Sequence, residues 1–283
     1  MIDIPKGRYW DLPWSLVSGC TPCSPGCDHC WALAMERRFC HPEEVGRIQI
    51  RPERLSIPLK RRKPTVYAVW NDFWHESVPD DFQYKAYDEM VERHTFLILT
   101  KRPHIAAAYY AEGKHEDLLP RDNIYHGLTV CNQQEANEKI TVFLQVPGKK
   151  FLSLEPLLGP IDLRPEHLPS GVTDPYWLLK CIDAVILGGE TGPGARPLHP
   201  DWVRSVRDQC AAAGVPFFLK SLGEWGFLPK FVSATPIPGK TPPWGKYEVH
   251  TWDDGWSVRV GKKNLKNGRL LDGRTHNDLP WVK

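Results

Sequence analysis

The chain has 283 residues, of which 41% are hydrophobic and 25% are charged, as in an ordinary globular protein. Its formal net charge of +2 is too small to indicate nucleic-acid binding by the chain as a whole. No apolar run approaches the roughly eighteen residues of a membrane span, and the first residues lack the apolar core of a signal peptide. We therefore expect a cytoplasmic protein that does not enter a membrane, where clustered cysteines favour metal over disulfide.

A cysteine-rich stretch lies close to the start of the chain. Residues 18–31 read SGCTPCSPGCDHCW, and four of the eight cysteines, Cys20, Cys23, Cys27 and Cys30, fall within eleven residues. Proline and glycine residues between them exclude a helix or a strand, so we expect a loop, called here the cysteine loop. Thiolates on one loop can converge on a single metal centre. The other cysteines are scattered and we expect them to be small core residues: Cys40, Cys131, Cys181 and Cys210.

Two metal centres are compatible with the spacing of the cysteine loop. Four cysteines could hold a tetrahedral zinc ion, although structural zinc sites usually draw their ligands from two short motifs far apart in sequence. Three cysteines could instead hold a 4Fe–4S cluster with one iron left open. Cys23, Cys27 and Cys30 give C-x3-C-x2-C, the spacing of radical S-adenosylmethionine (SAM) enzymes, which bind SAM at the open iron. A disulfide-linked loop or unligated cysteines form the remaining alternative.

Short apolar runs alternate with helical segments after the cysteine loop and a helix that begins near residue 32. We predict strands over 65–70, 95–100, 123–129, 150–154, 184–187 and 216–219. We predict helices over 80–93, 103–111, 132–144 and 200–213. A first strand before the cysteine loop, with residues 16–18 as a poor candidate, would bring the count to about seven.

Strands that alternate with helices predict an α/β fold with a parallel sheet. The strand count, and the absence of the G-x-G-x-x-G and G-x-x-x-x-G-K-[ST] motifs, favour a partial or full TIM-like β/α barrel. We assign residues 1–222 to this barrel and its cysteine loop. Residues 223–283 are rich in Pro, Gly and Trp, and we expect them to form an appendage packed on the barrel, with a β-hairpin over 247–251 and 256–260.

Polar residues follow the predicted strands, where β/α barrels place their chemistry. As catalytic candidates we take Lys101, Glu155, Glu190 and Lys220, and as cofactor-binding candidates Asn71, Asp72, Gly188, Gly189 and Glu190. A carboxylate such as Asp72 suits the ammonium or ribose of SAM, and the glycines would let backbone approach a ligand. The structural alternative is a pair of ion pairs, Lys101 with Glu155 and Lys220 with Glu190. Aromatic candidates for stacking on a base are Trp70, Trp74 and Trp225.

These motifs together resemble a phage and prophage family known by its three-Cys motif, which is similar to the radical SAM superfamily. The usual spacing in that family, C-x6-C-x2-C, corresponds to Cys20, Cys27 and Cys30, with an aliphatic residue where this chain has Cys23. The blocks NDFWHE, LTKRP, SLEPLLGP, GGETGPGARP and PFFLKSLGEWG extend the resemblance over residues 10–274. It makes Cys20 the expected third ligand and Cys23 its rival.

The resemblance implies a barrel of the radical SAM type, a 4Fe–4S cluster and bound SAM. It further implies a flavodoxin- or ferredoxin-type electron donor, host cytoplasm if the chain is phage-encoded, and a nucleobase or nucleotide substrate, as in phage DNA modification. Radical SAM enzymes commonly carry a Gly-Gly-Glu after the second strand that meets the SAM amino group. Here that sequence follows the sixth strand, so this role does not transfer to Glu190.

A second class of function uses the same features without catalysis. Two basic runs, over 51–63 and 259–274, suit phosphate contacts. A zinc-stabilised nucleic-acid-binding protein would need the cysteines and these basic runs, but not the polar groups at the strand ends. The metal content of the protein separates this alternative from a radical SAM enzyme.

Overall fold

The computed structural model describes residues 2, 4–111, 120–165, 170–227, 248–252, 255–259 and 268–282. Its strands are, in chain order, β1 (Leu12–Trp14), β2 (Val17–Ser18), β3 (Gln49–Ile50), β4 (Val66–Val69), β5 (Thr95–Thr100), β6 (Ile124–Thr129), β7 (Lys149–Leu154), β8 (Ala184–Gly188), β9 (Phe217–Ser221), β10 (Trp225–Phe227), β11 (Glu248–Trp252) and β12 (Gly255–Arg259). Seven of them form one sheet in the order β1-β4-β5-β6-β7-β8-β9. Every neighbouring pair in this sheet is parallel, and the sheet curls into a half-barrel.

All six strands predicted after the cysteine loop are present in this sheet, which confirms the α/β fold and the partial barrel. The strand predicted over 16–18 is wrong as a barrel strand. Val17–Ser18 pairs antiparallel with Gln49–Ile50 in a separate two-stranded sheet. The barrel strand is Leu12–Trp14, which contains Pro13 and lies at the edge of the sheet, where a missing N–H is tolerated.

The helices are α1 (Trp31–Phe39), α2 (Ile57–Lys60), α3 (Asp80–Asp88), α4 (Pro103–Ala111), α5 (Gln133–Phe143), α6 (Trp177–Lys180) and α7 (Pro200–Ala213). Short 3-10 turns cover Ile4–Lys6, Pro25–Cys27, Pro42–Glu44 and Pro52–Arg54. Helix α3 ends five residues before the predicted end because the chain turns towards β5. The Asn123 side chain donates to the backbone carbonyls of Met90, Val91 and His94, which holds that turn. No helix among the described residues is long and apolar enough to cross a membrane.

The two faces of the sheet bury different partners. Outward side chains such as Phe96 and Leu152 pack with the helices in the larger apolar core. Inward side chains form a second core, in which Leu97, Phe151 and Phe218 pack against residues near both ends of the chain. Trp281, for example, lies edge-to-face against the rings of Tyr125 and Phe151. The chain ends therefore fill the inside of the half-barrel.

Residues 4–11 cross the gap between β9 and the β1–β4 edge. At the β9 side, Gly7 lies so close to the Lys220 carbonyl that a Cβ would come within 2.1 Å of it. Tyr9 then packs edge-to-face on Phe218, with 5.9 Å between the ring centroids. At the other side, Asp11 accepts a hydrogen bond from the Val66 amide and donates its own N–H to the Val66 carbonyl. This segment covers the open side of the half-barrel.

The C-terminal region contains a three-stranded sheet in the order β10-β12-β11, in which β11 and β12 form the predicted hairpin. Tyr247, Asp253, Asp254 and Val260 of that prediction lie outside the described residues. The chain then returns to the barrel: Arg269 donates to the carbonyls of Ile4 and Leu219. Asn277 forms an isolated antiparallel bridge with Phe218 beside β9. Residues 268–282 thus contact both the open edge of the sheet and the N-terminal segment.

Candidate metal centre and active site

The cysteine loop folds around the 3-10 turn Pro25–Cys27. Pro25 favours the first position of this turn, and the Ser24 hydroxyl accepts the Gly26 N–H at 3.1 Å. Cys30 then stands at the N-terminal cap of α1. Of the four thiols, Cys27 is buried, Cys20 and Cys30 are half-buried, and Cys23 is exposed. The loop therefore presents its thiols at different depths.

Side chains that follow the barrel strands contact the cysteine loop and place it across the mouth of the half-barrel. Lys101, after β5, points its ammonium nitrogen at the Cys27 sulfur, 3.5 Å away. Cys131, after β6, lies 3.7 Å from the Ser24 hydroxyl. Arg196, after β8, donates to the Pro25 carbonyl at 2.9 Å. The loop thus spans the carboxyl ends of three strands, where β/α barrels carry their active sites.

The charge of the Cys27 thiolate is stabilised from two directions. A hydrogen bond from the Cys23 thiol, together with Lys101, outweighs burial and lowers the pKa of Cys27 to about 5. The same hydrogen bond, with burial, raises the pKa of Cys23. Burial and the nearby Asp72 raise the pKa of Cys20 to about 11, although Arg102 opposes them. Among Cys20, Cys23 and Cys27, the thiolate form, which is the form that binds metals, is therefore stabilised most at Cys27.

The donor set of the loop fits a thiolate-bound metal centre in chemistry. Cys20 and Cys23 each interact electrostatically with Cys27, and Lys101 interacts with both Cys27 and Cys30. The positions of these side chains, however, do not form a metal site. Within the described part of the chain, no three His, Cys, Asp or Glu side chains lie close enough together to hold a metal ion. Binding would require these thiols to turn towards a common centre.

A buried ion pair, Arg102 with Asp72, holds the first half of the cysteine loop. Arg102 donates to Asp72 at 2.8 Å, and to the carbonyl and hydroxyl oxygens of Thr21 at 2.9 and 2.7 Å. Asp72 also accepts from the Thr100 hydroxyl at 2.6 Å. The side chains of Arg102 and Asp72 are only 6% and 7% exposed. We call this group the Arg102 clamp.

An equivalent arrangement, called here the Arg196 clamp, holds the second half of the loop. Glu190 accepts two hydrogen bonds from the Arg196 guanidinium, at 2.6 and 2.9 Å, and a third from the Arg196 amide. Arg196 in turn donates to the Pro25 carbonyl and to Asp28, at 2.9 and 3.1 Å. Both oxygens of Glu190 are engaged in this way, as are those of Asp72. The two carboxylates therefore position arginines in the described structure, and direct contact with SAM stays a prediction for each.

Glu155 and Lys220 form an ion pair at 2.5 Å, inside the mouth. The ion pairs suggested from the sequence, Lys101 with Glu155 and Lys220 with Glu190, are wrong. The reason is Gly188, on the intervening strand β8, where a Cβ would lie 3.2 Å from the Glu155 side chain. Because Gly188 leaves this space open, Glu155 on one side of β8 reaches Lys220 on the other.

The remaining cofactor-binding candidates have structural contacts. Asn71 has a positive φ of 61°, a conformation that asparagine tolerates, and its amide donates to the Val17 carbonyl at 2.9 Å. Gly189 packs against backbone, since a Cβ would lie 2.3 Å from the Leu222 carbonyl oxygen. These contacts tie the strand ends together. A role in ligand binding stays a prediction for Asn71, Gly188 and Gly189.

Some residues of the site were not predicted from the sequence. Cys131 is buried, as expected, but its sulfur occupies the space beside Gly26, where a Cβ would come within 2.3 Å. Its position directly after β6 was the available signal, as for Arg102 after β5. The expectation of core positions is wrong for Cys40 and Cys181, which are exposed. Trp74 and Trp225, which were predicted to stack on a base, are buried in the core and are therefore unavailable for stacking.

A cavity of about 520 Å³ lies beside the cysteine loop, next to residues of α4 and α5. Its lining includes Cys23, Glu76, Lys101, His104 and Lys139. It is large enough for a small-molecule ligand. The structure describes the whole of the first basic run, in which Arg51 donates to Ser18 and Gln49 outside the run. Residues 260–267 of the second basic run lie outside the described residues.

Comparison with known proteins gives a family and no function. The chain matches, over residues 6–280, a family described as Protein of unknown function (DUF5131). No curated protein and no solved structure matches the chain.

Proposed function

Because the chain belongs to this DUF5131 family, its activity has to be argued from its own residues, and we propose that it is a radical SAM enzyme. The observation that carries the proposal is the position of the cysteine loop, which lies across the carboxyl ends of parallel strands in a half-barrel. A thiolate-bound cluster here would lie at the mouth of the half-barrel, beside the polar residues at the strand ends.

When bound, a 4Fe–4S cluster with SAM at its open iron supplies one electron and releases a 5′-deoxyadenosyl radical. Cys27 and Cys30 are the ligands common to both candidate spacings, and Cys20 or Cys23 provides the third. Cys23 contacts Cys27 directly. The Cys20 sulfur lies 4.0 Å from a guanidinium nitrogen of Arg102, in the Arg102 clamp. Lys101 offsets the negative charge of the thiolates.

Roles for the rim residues follow from their contacts. The Arg102 and Arg196 clamps fix the two halves of the cysteine loop. Lys101, Glu155 and Lys220 are half-buried at the mouth, and in this proposal they are the groups that would meet SAM or substrate. A nucleobase, nucleotide or modified DNA as substrate, and a flavodoxin- or ferredoxin-type donor in the cytoplasm, belong to this proposal through the family resemblance.

The experiment is anaerobic reconstitution with iron and sulfide, followed by reduction in the presence of SAM. We expect a brown protein with about four irons per chain, broad absorbance at about 400 nm, and formation of 5′-deoxyadenosine. Cys27→Ala and Cys30→Ala should lose the iron. Cys40→Ala is the matched control, because Cys40 is exposed and lies outside the cysteine loop, and it should keep both iron and activity.

The third ligand is identified by the same measurement. Of Cys20→Ala and Cys23→Ala, one should lose the cluster and the other should retain it. A colourless protein with one tightly bound zinc per chain and no iron uptake would overturn the proposal. That result would favour the alternative of a zinc-stabilised nucleic-acid-binding protein.

A further inference from the structure

Cys23 and Cys27 form a pair of contacting thiols within the cysteine loop. The Cys27 sulfur accepts one hydrogen bond from the Cys23 thiol and a second from the Cys23 backbone amide. Cys20 is turned to other partners, since its thiol donates to the Thr21 carbonyl at 3.6 Å and its sulfur lies 4.0 Å from an Arg102 nitrogen. Cys23 and Cys27 are therefore placed to react with each other.

The cysteine loop carries one thiol more than its proposed metal centre needs. A 4Fe–4S cluster with one open iron takes three thiolates, and the loop has four cysteines. Cys23 is the exposed one of the four, whereas Cys27, its partner, is buried. The pair thus joins a thiol that a reagent can reach to one that solvent does not reach directly.

The Lys101 side chain prepares the buried member of the pair for reaction. Its ammonium nitrogen lies 3.5 Å from the Cys27 sulfur. A cation beside a thiol favours the thiolate, which is the form that attacks a disulfide sulfur. Cys27 can therefore displace a group attached to the neighbouring Cys23.

The cavity beside the cysteine loop gives a reagent access to Cys23. Cys23 is one of its lining residues, and its volume of about 520 Å³ is sufficient for a small molecule. Charges of both signs line it, namely Lys101 and Lys139 with Glu76 and Glu138. Such a lining is complementary to a zwitterion, which carries ammonium and carboxylate groups together.

We propose that Cys23 and Cys27 are a site of reversible oxidation, at which a small zwitterionic disulfide entering this cavity converts the pair into an intramolecular disulfide. The Cys23 proton passes to the Cys27 thiolate, and the Cys23 sulfur attacks the reagent. A mixed disulfide forms, and the first leaving thiolate takes the proton from Cys27. The Cys27 thiolate then attacks the Cys23 sulfur and displaces the second thiolate. The protein pair is oxidised, and the reagent is reduced to two thiol molecules.

The disulfide would withdraw a metal ligand from the cysteine loop. Cys27 belongs to both candidate spacings, so the oxidised chain should not take up a cluster until a thiol reductant restores the pair. This consequence rests on the proposed function, whereas the disulfide itself does not.

The test uses the full chain, purified without iron and fully reduced, and incubated anaerobically with oxidised glutathione as the zwitterionic disulfide. After acid quenching and alkylation of the remaining thiols, mass spectrometry should find Cys23 bonded to Cys27, with Cys20 and Cys30 alkylated. Cys27→Ser should stop the reaction at a glutathione mixed disulfide on Cys23. Reduced glutathione in excess should reverse the bond in the native chain.

Cys40 is the matched internal control, because it is also exposed but lies outside the cysteine loop. Cys23 should react at least about tenfold faster than Cys40, and Cys40→Ser should form the Cys23–Cys27 bond at the native rate. A bond from Cys23 to Cys20 or Cys30, or equal rates at Cys23 and Cys40, would overturn this inference. Since the measurement needs neither cluster nor SAM, its failure is distinct from a failure to form 5′-deoxyadenosine.

Discussion

The two arginine clamps hold the cysteine loop in the same way but at different depths. Each joins a buried carboxylate at a strand end to a backbone carbonyl of the loop. The Arg102 side chain is 6% exposed and holds Thr21, beside Cys20. The Arg196 side chain is 31% exposed and holds Pro25 and Asp28, beside Cys27. The half of the loop with the two rival third ligands is therefore fixed by the deeper clamp.

This difference in depth indicates that the two clamps contribute unequally to the stability of the folded loop. Removing one partner of a buried ion pair leaves an uncompensated charge, which costs more than the pair itself contributes. Water can replace part of a lost interaction more readily at the Arg196 side chain, which is 31% exposed, than at the Arg102 side chain, which is 6% exposed. The four predictions below test this contrast.

Arg102→Met should have the largest effect, because it leaves Asp72 charged and buried. We expect the free energy of unfolding, measured by urea denaturation of the iron-free protein, to fall by about 3–5 kcal/mol. The double variant Arg102→Met/Asp72→Asn removes the charge as well and should recover part of the loss. No recovery in the double variant would show that Arg102 acts through packing and not through Asp72.

Arg196→Met should cost less, about 1–3 kcal/mol by the same measurement, since Arg196 itself is 31% exposed and its loss admits water to the buried Glu190. Its main effect should be local, with faster proteolysis of the cysteine loop than in the native chain. Arg204→Met offers a control on the outer surface, where Arg204 binds Asp272 at 2.7 Å, 34% exposed. A loss equal to that of Arg102→Met would contradict the difference in depth.

Thr21→Val should destabilise the protein by about 1 kcal/mol while preserving side-chain shape. The Thr21 hydroxyl lies 2.7 Å from an Arg102 nitrogen and 2.8 Å from His75 Nε2. His75 Nδ1 accepts the Ser77 N–H, so the neutral ring donates from Nε2 to Thr21. The change should appear in the denaturation midpoint, whereas Thr21→Ser, which keeps the hydroxyl, should lie close to the native value.

Acid should destabilise the protein through His75, which contacts Thr21 of the Arg102 clamp, and this effect should be the smallest of the four. Burial, and then the charge of Arg102, lower the pKa of His75 below its ordinary value of 6.5. Between that lowered value and 6.5 the unfolded chain binds more protons than the folded one, so stability falls as the pH falls below 6.5. We expect the melting temperature of His75→Gln to depend less on pH between 7.5 and 5.5 than that of the native chain. Identical pH profiles would contradict this role.

The fold was largely predictable because its strands are apolar runs buried on both faces. Val66–Val69 and Ala184–Gly188 are buried throughout, and their composition alone sets them apart from the helices. The first strand was not predictable, since Leu12–Trp14 is short and contains a proline. Its place depends on pairing with β4, which no local pattern encodes.

The members of the site were predictable, but their partners were not. Parallel strands carry residues to one rim, and Lys101, Glu155 and Lys220 lie there for that reason. Which of them meet depends on the curl of the sheet and on the space left at Gly188. Likewise, Glu190 contacts an arginine only six residues further on, but Arg196 then reaches Pro25 across 171 positions of sequence.

That separation sets an order of assembly on the ribosome. The thiols at positions 20–30 emerge early, whereas the guanidinium that anchors them is translated 166 residues after Cys30, and Arg269 contacts Ile4 across 265 positions. Contacts between such distant segments form late and slow the final folding step. Until then the nascent thiols are open to oxidants and stray metal ions. We therefore expect loading of the proposed metal centre to follow completion of the polypeptide.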